Sequence, residues 1–369
     1  MSFYETINQY SGFDFDDFFV RKRSEDVRRV LDKDRLNESD FLTLLSPAAS
    51  RHLEAMAHKA RQLTVQHFGR TIQLFIPLYI SNYCSNQCAY CGFNHTNAIA
   101  RRKLSLAQIE DEARAIAATG MRHLLVLTGE AREITPMDYL EAAVRRLKTY
   151  FASVSIEMFP MDEAEYDRLK DAGVDGLTMY QEVYDPDIYR QVHLAGRKTD
   201  YRYRLDAPER GARAGFRAVN LGALIGLGEM RREVFFSGLH ARYLDDRYLA
   251  TEIGLSLPRL NPAEGDYRSA HPADDRSFVQ FLTALRLFLP RASMTVSTRE
   301  RAGFRDHLIP LGVTRLSAGS CTGVGGYAAP DTRSVPQFEI SDQRSVSEVA
   351  RAITARGYQP IYKDWDRIQ

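Results

Sequence analysis

The sequence has little cysteine: four residues in 369, three of them between positions 84 and 91. A secreted fold stapled by disulfides spreads many more along its length, so a disulfide framework does not organise this chain. Charge of one sign is also missing, with 49 Lys and Arg against 48 Asp and Glu, a net charge of +1. Bulk electrostatics therefore favours neither a nucleic-acid partner nor an acidic membrane surface. No apolar run approaches the ~18 residues needed to cross a bilayer. The N-terminal stretch, with Phe13-Asp14-Phe15-Asp16-Asp17-Phe18-Phe19, lacks the basic-then-apolar order of a signal peptide. The expected compartment is the cytoplasm. Linkers rich in Gly, Pro or Ser and internal repeats are absent as well, while 44% apolar content provides for a substantial core.

What is present is Cys84-Ser85-Asn86-Gln87-Cys88-Ala89-Tyr90-Cys91, a CxxxCxxC with an aromatic residue before its last cysteine. Three thiolates so close together can ligate three corners of one iron–sulfur cube, leaving the fourth iron open to another molecule. The competing reading is a structural zinc site completed by His95, although no second CxxC or HxxxH half follows. Cys321 stands alone, far from the triplet, and reads as a small core or loop residue.

Residues 1–70 read as a helical extension. Ser46-Pro47 is expected to open a helix running toward Gly69. From residue 71 short β-rich runs alternate with longer helical ones. Strands are expected at Ile72 to Ile80, Arg122 to Thr128, Val154 to Met158, Leu177 to Tyr180, Val219 to Ile225, Ile253 to Leu257, Ser293 to Ser297 and Thr314 to Ser317. Ser105 with Gln108 forms a capping box, Thr135-Pro136 opens the next helix, and Gly173 stops another. Eight such units predict an α/β fold, a (β/α)8 TIM-type barrel over 71–320. A six-strand open barrel with a separate C-terminal lobe is the alternative. Residues 321–369 are expected to pack on the barrel as a helical tail ending in Lys363-Asp364-Trp365-Asp366. In such a barrel chemistry sits at the C-terminal ends of the strands, and polar or Gly-rich residues recur there.

Through Cys84, Cys88, Tyr90 and Cys91 the chain resembles the radical S-adenosylmethionine (SAM) enzymes. The resemblance implies a [4Fe-4S] cluster on Cys84, Cys88 and Cys91, with SAM chelating the open iron and cleaved to methionine and a 5′-deoxyadenosyl radical. It implies SAM contacts from Tyr90 and from Thr128-Gly129-Glu130, where the family usually has two glycines before the glutamate. It further implies polar contacts from Glu157, Gln181 and Glu182, and an adenine-lining segment from Gly222 to Glu229, with Ile225 against the ring. Alone, each has a bland reading: Gly-Glu after a strand is common, and strand glycines often mark close packing.

Longer stretches resemble the aromatic amino-acid lyases of that superfamily, most of all the tyrosine-cleaving 2-iminoacetate synthases of thiamine thiazole formation. They include Pro77 to Cys84, Tyr180 to Tyr184, Ser256 to Leu260, Ser297 to Glu300 and the Lys363-Asp364-Trp365-Asp366 tail, so the likeness runs from about residue 45 onward. It implies cleavage of L-tyrosine at Cα–Cβ to p-cresol and dehydroglycine, delivery to the thiazole synthase, and a flavodoxin or ferredoxin as electron donor. Nothing after Cys91 but Cys321 could serve the second cluster of the related hydrogenase maturase. Phe93 and the tail favour tyrosine over the tryptophan-cleaving relatives. An amino-acid carboxylate calls for a bidentate, permanently charged partner, which Arg299 with the Ser297 and Thr298 hydroxyls supplies. Arg259 is a second candidate cation, and Ser317 and Tyr79 are further candidate substrate contacts. The bland reading of Arg299-Glu300 is a surface ion pair.

Overall fold

The eight β-rich runs close into a parallel barrel in the computed structural model, which describes residues 2–329 and 334–363. The strands are β1 (Thr71–Ser81), β2 (His123–Thr128), β3 (Ser153–Glu157), β4 (Gly176–Glu182), β5 (Ala218–Ala223), β6 (Glu252–Ser256), β7 (Ser293–Val296) and β8 (Arg315–Ser317). They follow one another in sequence order, and β1 pairs with both β2 and β8, which closes the ring. The seam is in register from Ile76↔Leu124 on one side and Leu74↔Leu316 on the other. Leu74, Ile76, Leu78, Leu124, Val126 and Ile156 are fully buried, as expected of strands covered on both faces.

Helices return the chain between strands where the sequence carries start and stop signals. Ser105 and Gln108 cap Leu106–Ala118 reciprocally, as do Asp162 and Glu165 for Glu163–Ala172, which Gly173 ends in a left-handed conformation. Met230–Arg247 and Asp275–Phe288 are the long crossovers after β5 and β6.

The N-terminal extension comprises the helices Phe3–Asn8, Phe15–Arg21, Ser24–Leu31, Glu38–Leu45 and Leu53–Phe68. Its aromatic residues dock on the long crossovers: Phe41 stacks on Phe288 at 4.4 Å, Phe15 meets Phe235 at 5.8 Å, and Phe3 stacks on His240 at 4.0 Å. One expected boundary moves. Ser46 does not cap a long helix; its hydroxyl donates back to the Thr43 carbonyl, and a 3₁₀ turn (Pro47–His52) precedes the α-helix.

The C-terminal tail is not purely helical. After the helix Val346–Ala355 the chain forms β9 (Gln359–Ile361), which lies parallel against Thr71–Gln73 of β1. The Arg122 N–H then donates to the Tyr362 carbonyl, so β9 fills the groove between the start of β1 and the entry to β2. The tail residues Asp364, Trp365 and Asp366 lie outside the described residues. Among the described residues no helix is long and apolar enough to cross a membrane.

Candidate active site

The cysteine loop leaves β1 directly, and its shape is set by neighbours on three sides. Asn82 donates to the Ala100 carbonyl and accepts from the Arg102 N–H, folding the return limb back on the loop. The Arg101 guanidinium ties together the carbonyls of Asn82, Phe93, Asn94 and Asn97. Residues 192–195 clasp the other side, with Leu194 N–H on the Gln87 carbonyl, Gln87 N–H on Ala195 and Ala89 N–H on Val192. At the end of β2, Glu130 accepts the Ser85 N–H on its carbonyl and the Asn86 amide on its carboxylate at 2.7 Å.

All four cysteines are free thiols. Burial pushes the Cys88 thiol up to about 12, with Lys198 opposing, so metal charge is what would deprotonate it on loading. Among the described residues no three His, Cys, Asp or Glu side chains converge on a point that one ion would occupy. A zinc ion gathers its ligands around a single centre, whereas a cube holds three thiolates on separate corners. His95 is exposed and its Nδ1 faces the Cys84 carbonyl at 3.2 Å, turned to the loop backbone.

Above the strand ends lies a cavity of ≈ 1080 Å³, counting its open mouth. Cys91 and Tyr90 wall it on one side and Ser297, Thr298 and Arg299 on the other, with Tyr79, Glu157, Tyr180, Glu182, Lys198 and Ser317 between. Its floor and sides also carry Phe75, Leu125, Leu127 and Leu224. Its lining mixes apolar walls with a few charged and hydroxyl groups, the composition of a small-molecule site.

The charges inside are arranged unequally. The Glu182 carboxylate accepts from Lys198 at 2.7 Å and Arg204 at 3.1 Å. Burial would raise its pKa, but these two cations outweigh burial and hold it near 2. Glu182 is also the one non-glycine among the described residues with a positive φ, 72°, where β4 slips register against β5. Backbone strain of this kind costs on the order of 1–3 kcal/mol and tends to be kept at working sites. Glu157 has no hydrogen-bond partner among the described residues; burial first, then the charge of Glu182, raise its carboxyl to about 7. Arg299 has no carboxylate partner there either. Its guanidinium lies 3.2 Å from the centre of the Phe338 ring and makes only a long 3.5 Å contact to the Arg259 carbonyl. Burial lowers its pKa, with Tyr79 and Glu157 pulling the other way.

Several expected site residues therefore gather in one cavity: Cys91, Tyr90, Glu157, Glu182, Ser297, Thr298, Arg299, Ser317 and Tyr79. The Ser317 hydroxyl accepts the Thr298 N–H at 2.9 Å, locking β7 to β8 at the substrate end. Others differ. Arg259 is not an open cation, since Glu300 grips it through two nitrogens and Asp275 through a third contact at 2.9 Å. The Glu300 carboxylate thus belongs to Arg259 and not to Arg299. Gln181 does not line the cavity; its neighbours Tyr180 and Glu182 do, and alternate strand residues face opposite ways. Gly222 marks close packing of β5 on β6, because a Cβ there would lie 1.8 Å from the Ser256 carbonyl oxygen. Ile225 turns into the main core and its neighbour Leu224 faces the cavity, a one-residue shift. Thr128, Gly129 and Glu130 lie under the cysteine loop, with Gly129 so near Tyr83 that a Cβ would sit 2.3 Å from its carbonyl oxygen. Cys321 belongs to the loop after β8, its N–H donating to the Tyr327 hydroxyl.

Other residues of the site were not expected from the sequence. Lys198, Arg204 and His193, which meets the Tyr90 hydroxyl at 2.9 Å, come from the irregular connection after β4. Gln337 and Phe338 come from a strap beyond β8.

Comparison with known proteins agrees with this geometry. Residues 78–235 match the Radical SAM superfamily and residues 256–359 match the Biotin and Thiamin Synthesis associated domain. The chain is 41% identical to the 2-iminoacetate synthase of Escherichia coli (strain K12) over 363 residues, 97% of this chain and 96% of that protein. The crystal structure of HydG, a maturase of the [FeFe]-hydrogenase, superposes with a TM-score of 0.89 at 31% identity, covering 94% of this chain and 78% of that one. HydG from Carboxydothermus hydrogenoformans superposes at 0.86 and 32%, covering 98% and 82%. The family's cofactors, a [4Fe-4S] cluster and SAM, fit the three free thiols and the cavity beside them. The chain belongs to the 2-iminoacetate synthase family, radical SAM carbon–carbon lyases of thiamine thiazole synthesis.

Proposed function

We propose that the substrate is L-tyrosine, cleaved at Cα–Cβ to p-cresol and 2-iminoacetate (dehydroglycine). One observation carries this reading: Arg299, a half-buried guanidinium facing a cavity, has no carboxylate of its own among the described residues. A buried cation without an anion is costly unless a ligand supplies one, and an amino-acid carboxylate fits its fork. The Ser297 and Thr298 side chains beside it add hydroxyl donors. The apolar wall of Phe75, Leu125 and Leu127 suits an aromatic side chain.

A cluster held by the three thiolates, with SAM bound to it, would supply radical chemistry for hydrogen abstraction at the substrate amine. Arg299, by fixing the carboxylate, aims the amine rather than the ring at that position. Tyr79 and Ser317 narrow the cavity around the same ligand. Cys84, Cys88 and Cys91 hold the cluster, and Thr128, Gly129 and Glu130 offer acceptors near it for the methionine ammonium. Of the two carboxylates, Glu157 is the more open to ribose hydroxyls, because Glu182 is already gripped by Lys198 and Arg204.

Dehydroglycine hydrolyses readily, which favours direct transfer to the thiazole synthase. A flavodoxin or ferredoxin is proposed as the donor, in the cytoplasm. The test is an anaerobic assay of reconstituted protein with reductant, SAM and either tyrosine or tryptophan. Tyrosine should give p-cresol in step with 5′-deoxyadenosine. Cleavage of tryptophan with no cresol from tyrosine would overturn the assignment.

A further inference from the structure

Residues 334–342 cross the barrel mouth as a strap held by backbone bonds to four neighbours. The Gln337 N–H donates to the Thr322 carbonyl, the Gln337 carbonyl accepts from the Gly92 N–H at 3.0 Å, and the Thr322 hydroxyl donates to the Phe338 carbonyl. Further on, the Glu339 N–H meets the Pro262 carbonyl, and the Ser341 and Asp342 N–H groups share the Thr298 carbonyl. These bonds place one amide side chain beside the cluster ligands. The Gln337 Oε1 accepts from the Tyr79 hydroxyl at 2.8 Å, and its Nε2 donates toward the Cys91 Sγ at 3.7 Å. The reverse orientation would set an amide oxygen against a thiolate, so the Tyr79 hydroxyl fixes which end of the amide faces the sulfur.

We infer that Gln337 is a positioning residue for the cluster, donating through Nε2 to the Cys91 sulfur and setting the cluster's reduction potential. A hydrogen bond to a cluster sulfur stabilises the more electron-rich, reduced state and so raises the potential. Of the three ligands Cys91 alone receives this donor among the described residues, which makes it the ligand tuned from outside the loop.

The experiment is a redox titration of the reconstituted full-length chain without SAM, followed by electron paramagnetic resonance of the reduced cluster. Gln337→Met keeps the length of the side chain and removes the donor; its midpoint should fall below that of the wild type. Gln337→Glu retains an acceptor, adds negative charge beside the sulfur and should fall further. Tyr79→Phe leaves the amide in place but frees its orientation, and should give a smaller fall in the same direction. Iron content and the thermal melt of each variant separate tuning from loss of the fold. Met and Glu variants that carry wild-type iron and titrate at the wild-type potential would overturn the inference. It does not depend on which amino acid is cleaved.

Discussion

The half of the barrel matched by the Radical SAM superfamily and the half matched by the Biotin and Thiamin Synthesis associated domain treat buried charge differently. In the first, Glu182 is enclosed by Lys198 and Arg204, and Glu130 is bound to Asn86, so charged groups brace the cysteine loop and its surroundings. In the second, two arginines follow consecutive strands and have opposite fates. Arg259, after β6, is saturated by Glu300 and Asp275, while Arg299, after β7, is left to the cavity. On the cluster side most buried charges are paired within the protein, with Glu157 the exception. The other side leaves one guanidinium, Arg299, without a carboxylate among the described residues, and the proposed substrate anchor rests on that difference.

The contrast can be broken most severely at the cluster. Cys88→Ser should abolish bound iron and bring 5′-deoxyadenosine formation to background, with or without amino acid, as read by iron analysis and product chromatography. Arg299→Met should leave iron content and substrate-free SAM cleavage in place but lower tyrosine-dependent p-cresol by about 100-fold or more, the scale of a lost charge-assisted bidentate contact. Arg299→Lys should fall between, since a point charge lacks the fork. Arg259→Met should instead act on stability, by about 3–5 kcal/mol in a denaturant titration, because Glu300 would be left buried and unpaired. The double variant Arg259→Met with Glu300→Leu should recover most of that loss. If Arg259→Met instead reduced turnover at unchanged stability, the contrast between the two arginines would fail.

A smaller effect probes a buried carboxylate within the first half. Glu233, on the Met230–Arg247 helix, accepts the Tyr184 N–H at 2.6 Å and the Asp185 N–H at 3.3 Å. Burial raises its carboxyl to about 8, with those two N–H groups pulling back. The folded chain therefore keeps a proton that the unfolded chain releases near 4.5. Its contribution to stability falls as pH rises between those values, by at most about 1.4 kcal/mol per pH unit. Unfolding free energies from pH 5 to 8 should fall less steeply in Glu233→Gln than in the wild type, the difference being clearest above pH 7, where Glu157 no longer contributes.

Much of this was legible in the sequence where the signal was local. The cysteine triplet, the capping box at Ser105, the helix stop at Gly173 and all eight barrel strands could be read because each is set by residues within a few positions. The fate of Arg259 could not: Glu300, 41 positions away, decides it, and no periodicity reports that pairing. Ile225 was misplaced for a different reason. Beyond the end of β5 strict alternation lapses, and the chain turns Leu224 rather than Ile225 to the cavity. Gln337 sits in an irregular stretch whose bonds go to the cysteine loop and the loops after β6, β7 and β8, so nothing in its own neighbourhood marks it.

The short strand β9 bears on how the chain is made. Its partners, Thr71 to Gln73, leave the ribosome almost three hundred residues before Gln359 to Ile361 do. Until then the first barrel strand keeps unpaired backbone along its opening residues, an edge open to pairing with other chains. Closing such a sequence-distant contact is slow, so this stage of barrel assembly waits for residues 359–361 to be made. A chain stopped just short of Gln359 would hold all three cysteines and the arginine, yet carry an open seam at the foot of its first strand.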